Sequence, residues 1–206
     1  LDALVHLGAI PAPGLATDST TFENNILSTY SAFAAARAVG IHNVVWASSE
    51  TVLGLPFDEP PPYAPVDEAY HPRPNSSYSL SKALGEEMAV QFCRWDPTMK
   101  IIGLRFSNEE YPRFPAFDTD PQARRWNMWG YIDARDGAQA VRKALELDTT
   151  GADVFIIANA DTVMQRSSAS LMAEVFPDVE INGELGEHET LLSIPKARRI
   201  LDYSPQ

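Results

Sequence analysis

An α/β fold carrying a doubly wound, mainly parallel sheet is what this 206-residue chain predicts, on three observations. Strand-length apolar runs alternate with stretches whose apolar residues recur at helical spacing. The inner runs are apolar almost without interruption, as strands covered on both faces are. Every strand after the first is preceded by a helix, the order that right-handed parallel crossovers require.

Residues 1–7 read as an apolar strand entered without a turn or a cap, so residues upstream of Leu1 are expected in the working protein. Ile10, Pro11, Ala12, Pro13 and Gly14 form a loop. Thr20 followed by Glu23 has capping-box form, which predicts a helix with Thr20 as N-cap, Ile26, Tyr30, Phe33 and Ala34 at helical spacing, and Gly40 as its stop. A strand over 43–48 follows. Residues 54–74 hold seven prolines and make a connection too long for an ordinary turn, a length usually tied to function. Beyond it the pattern predicts a helix over 77–95, a strand over 100–105, mostly loop over 106–130, and a helix over 134–147 capped by Asp133. A strand over 153–158, a helix over 168–176 stopped by Pro177, and a helix over 195–201 with proline in its first turn complete the chain.

Composition narrows the function. Lys plus Arg is 16 against 28 for Asp plus Glu, a net charge of −12, so a nucleic-acid partner is not expected. Cys93 is the single cysteine and cannot form an internal disulfide, as suits a reducing compartment. His6, His42, His71 and His188 are too scattered for a metal site. No apolar run approaches the roughly 18 residues of a membrane span, so a cytoplasmic location is the expectation.

Tyr78 and Lys82 stand four apart on the 77–95 helix and therefore share a face. An ammonium beside a phenol favours the phenolate and can bring a group of pKa about 10 toward neutrality. Alone, such a pair is more often a core ring beside a solvated ammonium. Ser48 and Ser49 sit at the carboxyl end of a parallel strand, where ligands bind in open α/β sheets, although strand-end serines also serve simply to turn the chain.

Taken together, residues 5–9 (Val-His-Leu-Gly-Ala), Asn24-Asn25, residues 44–54 (Val-Val-Trp-Ala-Ser-Ser-Glu-Thr-Val-Leu-Gly), the Tyr-x-x-x-Lys of Tyr78 and Lys82, and residues 104–108 (Leu-Arg-Phe-Ser-Asn) resemble the extended short-chain dehydrogenase/reductase family, also called NAD-dependent epimerase/dehydratase. The resemblance implies a Rossmann-like domain over 1–160, with 105–132 contributing to the substrate site, and a small C-terminal substrate lobe over 161–206. It implies Ser49 as the catalytic hydroxyl, Tyr78 as general acid/base, and Lys82 as the group that tunes Tyr78 and holds the nicotinamide ribose. Gly8, Ala9 and Asn25 would lie along the cofactor, NAD or NADP, while Ser49, Glu50 and Asn108 would face the substrate. A homodimer through the helices near 20–39 and 77–95 is implied as well.

Two departures from the family pattern qualify the resemblance. The Gly-x-x-Gly-x-x-Gly turn that brings backbone to a pyrophosphate is not in this sequence, which by family order starts at the fourth strand. Only 25 positions separate Asn108 from Asp133, little material for a nucleotide-sugar pocket, and Glu109, Glu110, Tyr111 and Pro112 follow where Gly-Pro is usual. Dehydratases of the family place two acids after the catalytic hydroxyl, whereas Glu50 is followed by Thr51. The expectation is hydride transfer to or from a free sugar, sugar acid or similar small polyol. A nucleotide-sugar epimerase is the second reading and a non-catalytic binding member the third. Arg124, Arg125 and Trp126 are candidates to meet an anionic substrate or form a solvated turn, Trp126 and Trp129 are expected in the core, the acidic residues between Glu184 and Glu189 are surface, and His188 has no chemical role.

Overall fold

A computed structural model describes residues 1–108 and 120–206. The elements are β1 (Ala3–His6), α1 (Asp18–Ala38), β2 (Asn43–Ser49), β3 (Tyr63–Ala64), α2 (Ser77–Trp95), β4 (Lys100–Phe106), α3 (Ala134–Glu146), β5 (Gly151–Ile157), α4 (Ser168–Val175), β6 (Glu180–Ile181) and α5 (Pro195–Leu201). Strands β1, β2, β4 and β5 lie side by side in that order, all parallel, and form the Rossmann-like sheet. Val5 pairs with Val45, and Val45 with Ile102, so side chains of equal parity share a face across the sheet.

That parity divides the interior. Val44, Trp46 and Ile101 point to one face and pack with Phe33, Ala89 and Phe92 beneath α1 and α2. Val45, Ile102 and Leu104 point to the other, where Ala140 and Ala144 of α3 and Leu171, Leu192 and Leu201 of the C-terminal segment cover them. Both faces are thus buried, which is why β2 and β4 are apolar almost throughout.

Helix α1 starts earlier than Thr20. Thr17 is its N-cap and accepts the Thr20 N–H at 3.3 Å, placing Thr20 three positions into the turn. The buried side also differs from expectation: it runs through Thr21, Asn25, Thr29, Phe33 and Ala36, while Leu27 and Tyr30 are exposed. The cause is local. The first half of α1 lies along the polar backbone of the segment after β1, where Asn25 bonds Ile10 and Thr29 meets His6, and only the second half reaches the apolar core.

Helix α2 has the predicted bounds and a capping box made by Ser76 and Ser79. Gly85 lets it approach β2: a Cβ there would stand 2.6 Å from the Trp46 ring. The long connection over 54–74 is not an open loop. β3 pairs with β6, Val66 and Leu191 share a 2.9 Å backbone bond, and the Glu68 carboxylate accepts the Ile156 N–H at 2.8 Å on the outer edge of β5. Buried backbone groups there find partners in the C-terminal segment. Asp133 caps α3 as expected. Glu109, Glu110, Tyr111 and Pro112 lie outside the described residues. Among the described residues no helix is long and apolar enough to cross a membrane, and no group of three His, Cys, Asp or Glu side chains is placed to hold a metal ion.

Candidate active site

A cleft of about 810 Å³ opens over the carboxyl ends of β2 and β4. Its floor carries Ser49, Glu50 and Tyr78; Ser107, Asn108 and Trp126 form one side, the α3 residues Ala134, Gly137 and Val141 another, and Leu7 with the Pro11 to Pro13 loop the rim. Open parallel sheets place their ligands here because the strands end together and the connecting loops diverge.

Ser49 and Tyr78 meet in this cleft. Ser49 ends β2 and caps the short turn Glu50–Leu53, its Oγ accepting the Thr51 N–H at 3.2 Å and the Thr51 hydroxyl at 3.0 Å. Tyr78, in the first turn of α2, is almost fully enclosed and lines the same cleft floor as Ser49. The pairing register explains the neighbouring Ser48. Its side chain points to the opposite face and donates to Glu86 at 2.6 Å, where the Arg105 guanidinium makes a bidentate pair with the same carboxylate at 2.9 and 2.7 Å. Ser48 anchors the strand and Ser49 faces the cleft.

Lys82 lies one turn beyond Tyr78. Its Nζ donates to the Ala47 carbonyl at 2.6 Å and stands 5.7 Å from the centroids of both the Tyr78 and Trp46 rings. Burial lowers its pKa to about 8. The sequence spacing suggests a phenol pulled toward neutrality by this ammonium, and the structure differs. Burial pushes Tyr78 above its ordinary value, the Ser49 hydroxyl pulls it back in part, and the Glu50 carboxylate pushes it up again. The ammonium is aimed at a carbonyl, and desolvation of the phenolate outweighs it.

Of the other expected site residues, Asn108 lines the cleft, and its carbonyl accepts the Ile132 N–H at 3.0 Å. Asn25 is buried, and its amide grips the backbone of Ile10 with bonds of 2.8 and 3.0 Å, so it shapes the rim rather than pointing into the cleft. Gly8 and Ala9 stand in that same segment, where the described lining comes from Leu7 and residues 11–13 instead. Trp126 lines the cleft, while Trp129 is fully buried against Phe176. Arg124 donates to the Gly130 carbonyl at 2.8 Å and Arg125 to Gln122 at 3.3 Å, and the His188 ring lies 3.3 Å from the Arg166 carbonyl.

Sequence reasoning missed Ser107 and Asn127. Both bond the carboxylate of Glu50, Ser107 Oγ at 2.6 Å and Asn127 Nδ2 at 3.2 Å. A signal for Ser107 existed: Ser49 pairs with Phe106, so the next residues along the two strands, Glu50 and Ser107, are neighbours. Asn127 had none, because it lies in a turn without period.

Comparison with known proteins fits this geometry. The family model described as NAD dependent epimerase/dehydratase matches residues 1–128. The L-arabinose 1-dehydrogenase (NAD(P)(+)) of Haloferax volcanii is 38% identical over 158 residues, 70% of this chain and 60% of that protein. UDP-glucose 4-epimerase of Mus musculus is 33% identical over 135 residues, 63% of this chain and 37% of that protein, and UDP-glucose 4-epimerase 2 of Oryza sativa 30% over 109 residues, 52% and 26%. The chain therefore spans about a quarter to two-fifths of the length of these epimerases. Among solved structures, UDP-N-acetylglucosamine 4-epimerase from Bacillus cereus superposes with a TM-score of 0.69 at 24% identity, covering 100% of this chain and 73% of that one. A short-chain dehydrogenase/reductase superfamily protein from Agrobacterium tumefaciens with bound NAD does so at 0.71 and 22%, covering 100% and 75%. The match over 1–128 takes in β2, α2 and β4, the elements that carry Ser49, Tyr78 and Lys82, and the chain belongs to the NAD-dependent epimerase/dehydratase family.

Proposed function

We propose that this protein is an NAD(P)-dependent oxidoreductase acting on a sugar, sugar acid or similarly small hydroxyl or carbonyl compound through Ser49, Tyr78 and Lys82. The observation that carries the proposal is the placing of Ser49 and Tyr78 together at the floor of an open cleft. The residues present suit the nicotinamide end of a dinucleotide: Ile132, Ala138 and Val141 offer an apolar wall for a flat ring and the Tyr78 phenol a polar partner for a ribose hydroxyl, while Lys82 stands behind the cleft lining with its amine on the Ala47 carbonyl. When bound, such a cofactor supplies the hydride exchange.

The chain's own part is the proton. Tyr78 as a neutral phenol gives its proton to a carbonyl oxygen in the reductive direction, and as the phenolate so formed takes one back from a hydroxyl in the other. Ser49 bonds the same oxygen and fixes its place. Lys82, with its pKa brought down to about 8, presents a positive charge that moderates the cost of a phenolate close to neutral pH. Residues 161–206, proposed as the substrate lobe, cover the sheet face beside α3 and contribute none of the residues that line this cleft.

The short stretch between Asn108 and Asp133 and the 38% identity to the arabinose dehydrogenase support a free sugar. The epimerase relatives support a second reading, a nucleotide-sugar epimerase. Incubation with NAD⁺ or NADP⁺ and a panel of pentoses, hexoses and uronic acids distinguishes them. A rise in near-ultraviolet absorbance with an oxidised sugar product is expected. Interconversion of UDP-sugars without net reduced cofactor would favour the epimerase, and no calorimetric binding of either dinucleotide would sink both.

We further propose a homodimer through the outer sides of α1 and α2, where Leu27, Tyr30, Leu80, Leu84 and Val90 are exposed on two helices that pack together. Sedimentation should give twice the chain mass, falling to one mass in Leu84→Glu; a wild-type monomer would overturn it.

A further inference from the structure

Two tryptophans of one short turn are placed differently. Trp129 is fully buried against Phe176, and its indole N–H donates to the Pro121 carbonyl at 2.9 Å. Trp126, three residues earlier, is half-buried and lines the cleft, and among the described residues its indole N–H makes no hydrogen bond. An enclosed tryptophan usually gives that N–H to an acceptor. A ring that brings both an apolar face and a spare donor to a cavity is equipped for a ligand with both characters.

The turn holds this ring firmly. Asn127, next in sequence, is fully buried, and its Nδ2 donates to the Glu50 carboxylate at 3.2 Å and to the Gly130 carbonyl at 2.8 Å. The same carbonyl accepts from Arg124 at 2.8 Å, and the Arg124 guanidinium stands 6.0 Å from the centroid of the Trp126 ring. Arg124, Met128 and Trp129 have φ of 61°, 52° and 58°, a left-handed backbone that persists only where its surroundings over-determine it. Glu50 follows Ser49 in the chain, so the carboxylate that anchors this turn ties Trp126 to the strand end bearing the cleft serine.

Trp126 and Asn108 stand on a different side of the cleft from Ala138 and Val141, the α3 part of the apolar wall proposed for the cofactor ring, and therefore border the space of the second reactant. A closed sugar ring turns its hydroxyls outward and gathers C–H bonds on its faces. Carbons bonded to oxygen leave those hydrogens partly positive, and the face of an indole is negative. An open-chain polyol has no fixed face and gives up rotamer freedom to present one.

We propose that Trp126 is a substrate-binding residue that selects a closed-ring aldose or uronic acid over the open-chain alditol, its ring face taking the C–H side of the sugar and its edge N–H a substituent oxygen. The proposal rests on the oxidoreductase reading for where the second reactant lies.

The test is NMR of the whole chain with ¹⁵N-labelled indoles, titrated with pentoses, hexoses and uronic acids and with the corresponding alditols, in the presence of reduced dinucleotide so that no oxidation follows. The four tryptophans give four cross-peaks, and Trp126→Phe identifies the relevant one by its loss. That peak should move with a sugar at a concentration several-fold lower than with its alditol, while the peaks of Trp46 and Trp129 stay. In steady-state kinetics Trp126→Ala should raise the KM for the sugar about tenfold or more, with most of the loss in kcat/KM lying there, and should erase the preference over the alditol. Trp126→Phe keeps an aromatic face and should raise KM about threefold or less; with the wild-type titration it carries the test if Trp126→Ala does not fold. A Trp126 peak that moves with dinucleotide alone and no further with sugar, an alditol that binds as well as its sugar, or a folded Trp126→Ala with the wild-type KM would overturn the proposal. Sugar that moves the Trp126 peak of a protein oxidising none would sink the oxidoreductase reading and leave Trp126 in the binding site. Sugar oxidation beside a motionless Trp126 peak would do the reverse.

Discussion

On the side of β2 and α2 the cleft is walled by regular structure: a strand end supplies Ser49, a capped helix supplies Tyr78 and Lys82, and Gly85 against Trp46 sets their spacing. On the side of Ser107 and Asn127 it is walled by a short irregular turn with three left-handed residues that are not glycine. The first wall holds Ser49, Tyr78 and Lys82, the groups proposed to carry the reaction, and a strand end and a capped helix place them. The second spends backbone strain and two side-chain donors on one buried carboxylate. Reactive groups can be placed by ordinary secondary structure, whereas setting a charge beside them requires a local exception.

Two changes sharpen this contrast. The larger effect belongs to the regular wall. Tyr78→Phe should lower turnover roughly 10²- to 10⁴-fold, the range for loss of a general acid/base, while dinucleotide affinity measured by calorimetry falls by no more than about tenfold, the loss of one hydrogen bond. Unaltered turnover would remove Tyr78 from the reaction.

The smaller effect belongs to the irregular wall. Glu50 has a higher pKa in the fold than in the unfolded chain, so its contribution to stability is fully present below about 4.5 and is lost as pH rises through about 7. Asn127→Leu removes a donor to the carboxylate and leaves the Gly130 carbonyl one partner fewer, at a cost of about 1–3 kcal/mol. The ionised carboxylate needs that donor more, so denaturant unfolding should show a greater loss at about pH 8 than at about pH 5. An equal loss at both would separate Asn127 from the charge of Glu50.

What was legible in the sequence follows the same division. The bounds of α2 and the Asp133 cap of α3 could be read because helical period and cap chemistry act over a few residues. The start of α1 was misplaced because Thr17 and Thr20 both have cap chemistry, and which hydroxyl is used depends on where the preceding segment docks. The Asn127 turn was opaque for a firmer reason: Arg124, Met128 and Trp129 give no compositional hint of a left-handed backbone. The direction of the Tyr78 shift was also beyond reach. Spacing brings Lys82 near, but only the fold shows that its ammonium is aimed at the Ala47 carbonyl and that enclosure outweighs it.

Asn25 has a consequence for the mouth of the cleft. Because its amide closes a two-bond ring with the backbone of Ile10, the stretch between β1 and α1 is an outgrowth of the helix, not a tether hung between two elements. A ligand entering past Pro11 and Pro13 meets a doorframe built into α1, so widening the entrance means tilting a 21-residue lever and not swinging a flap.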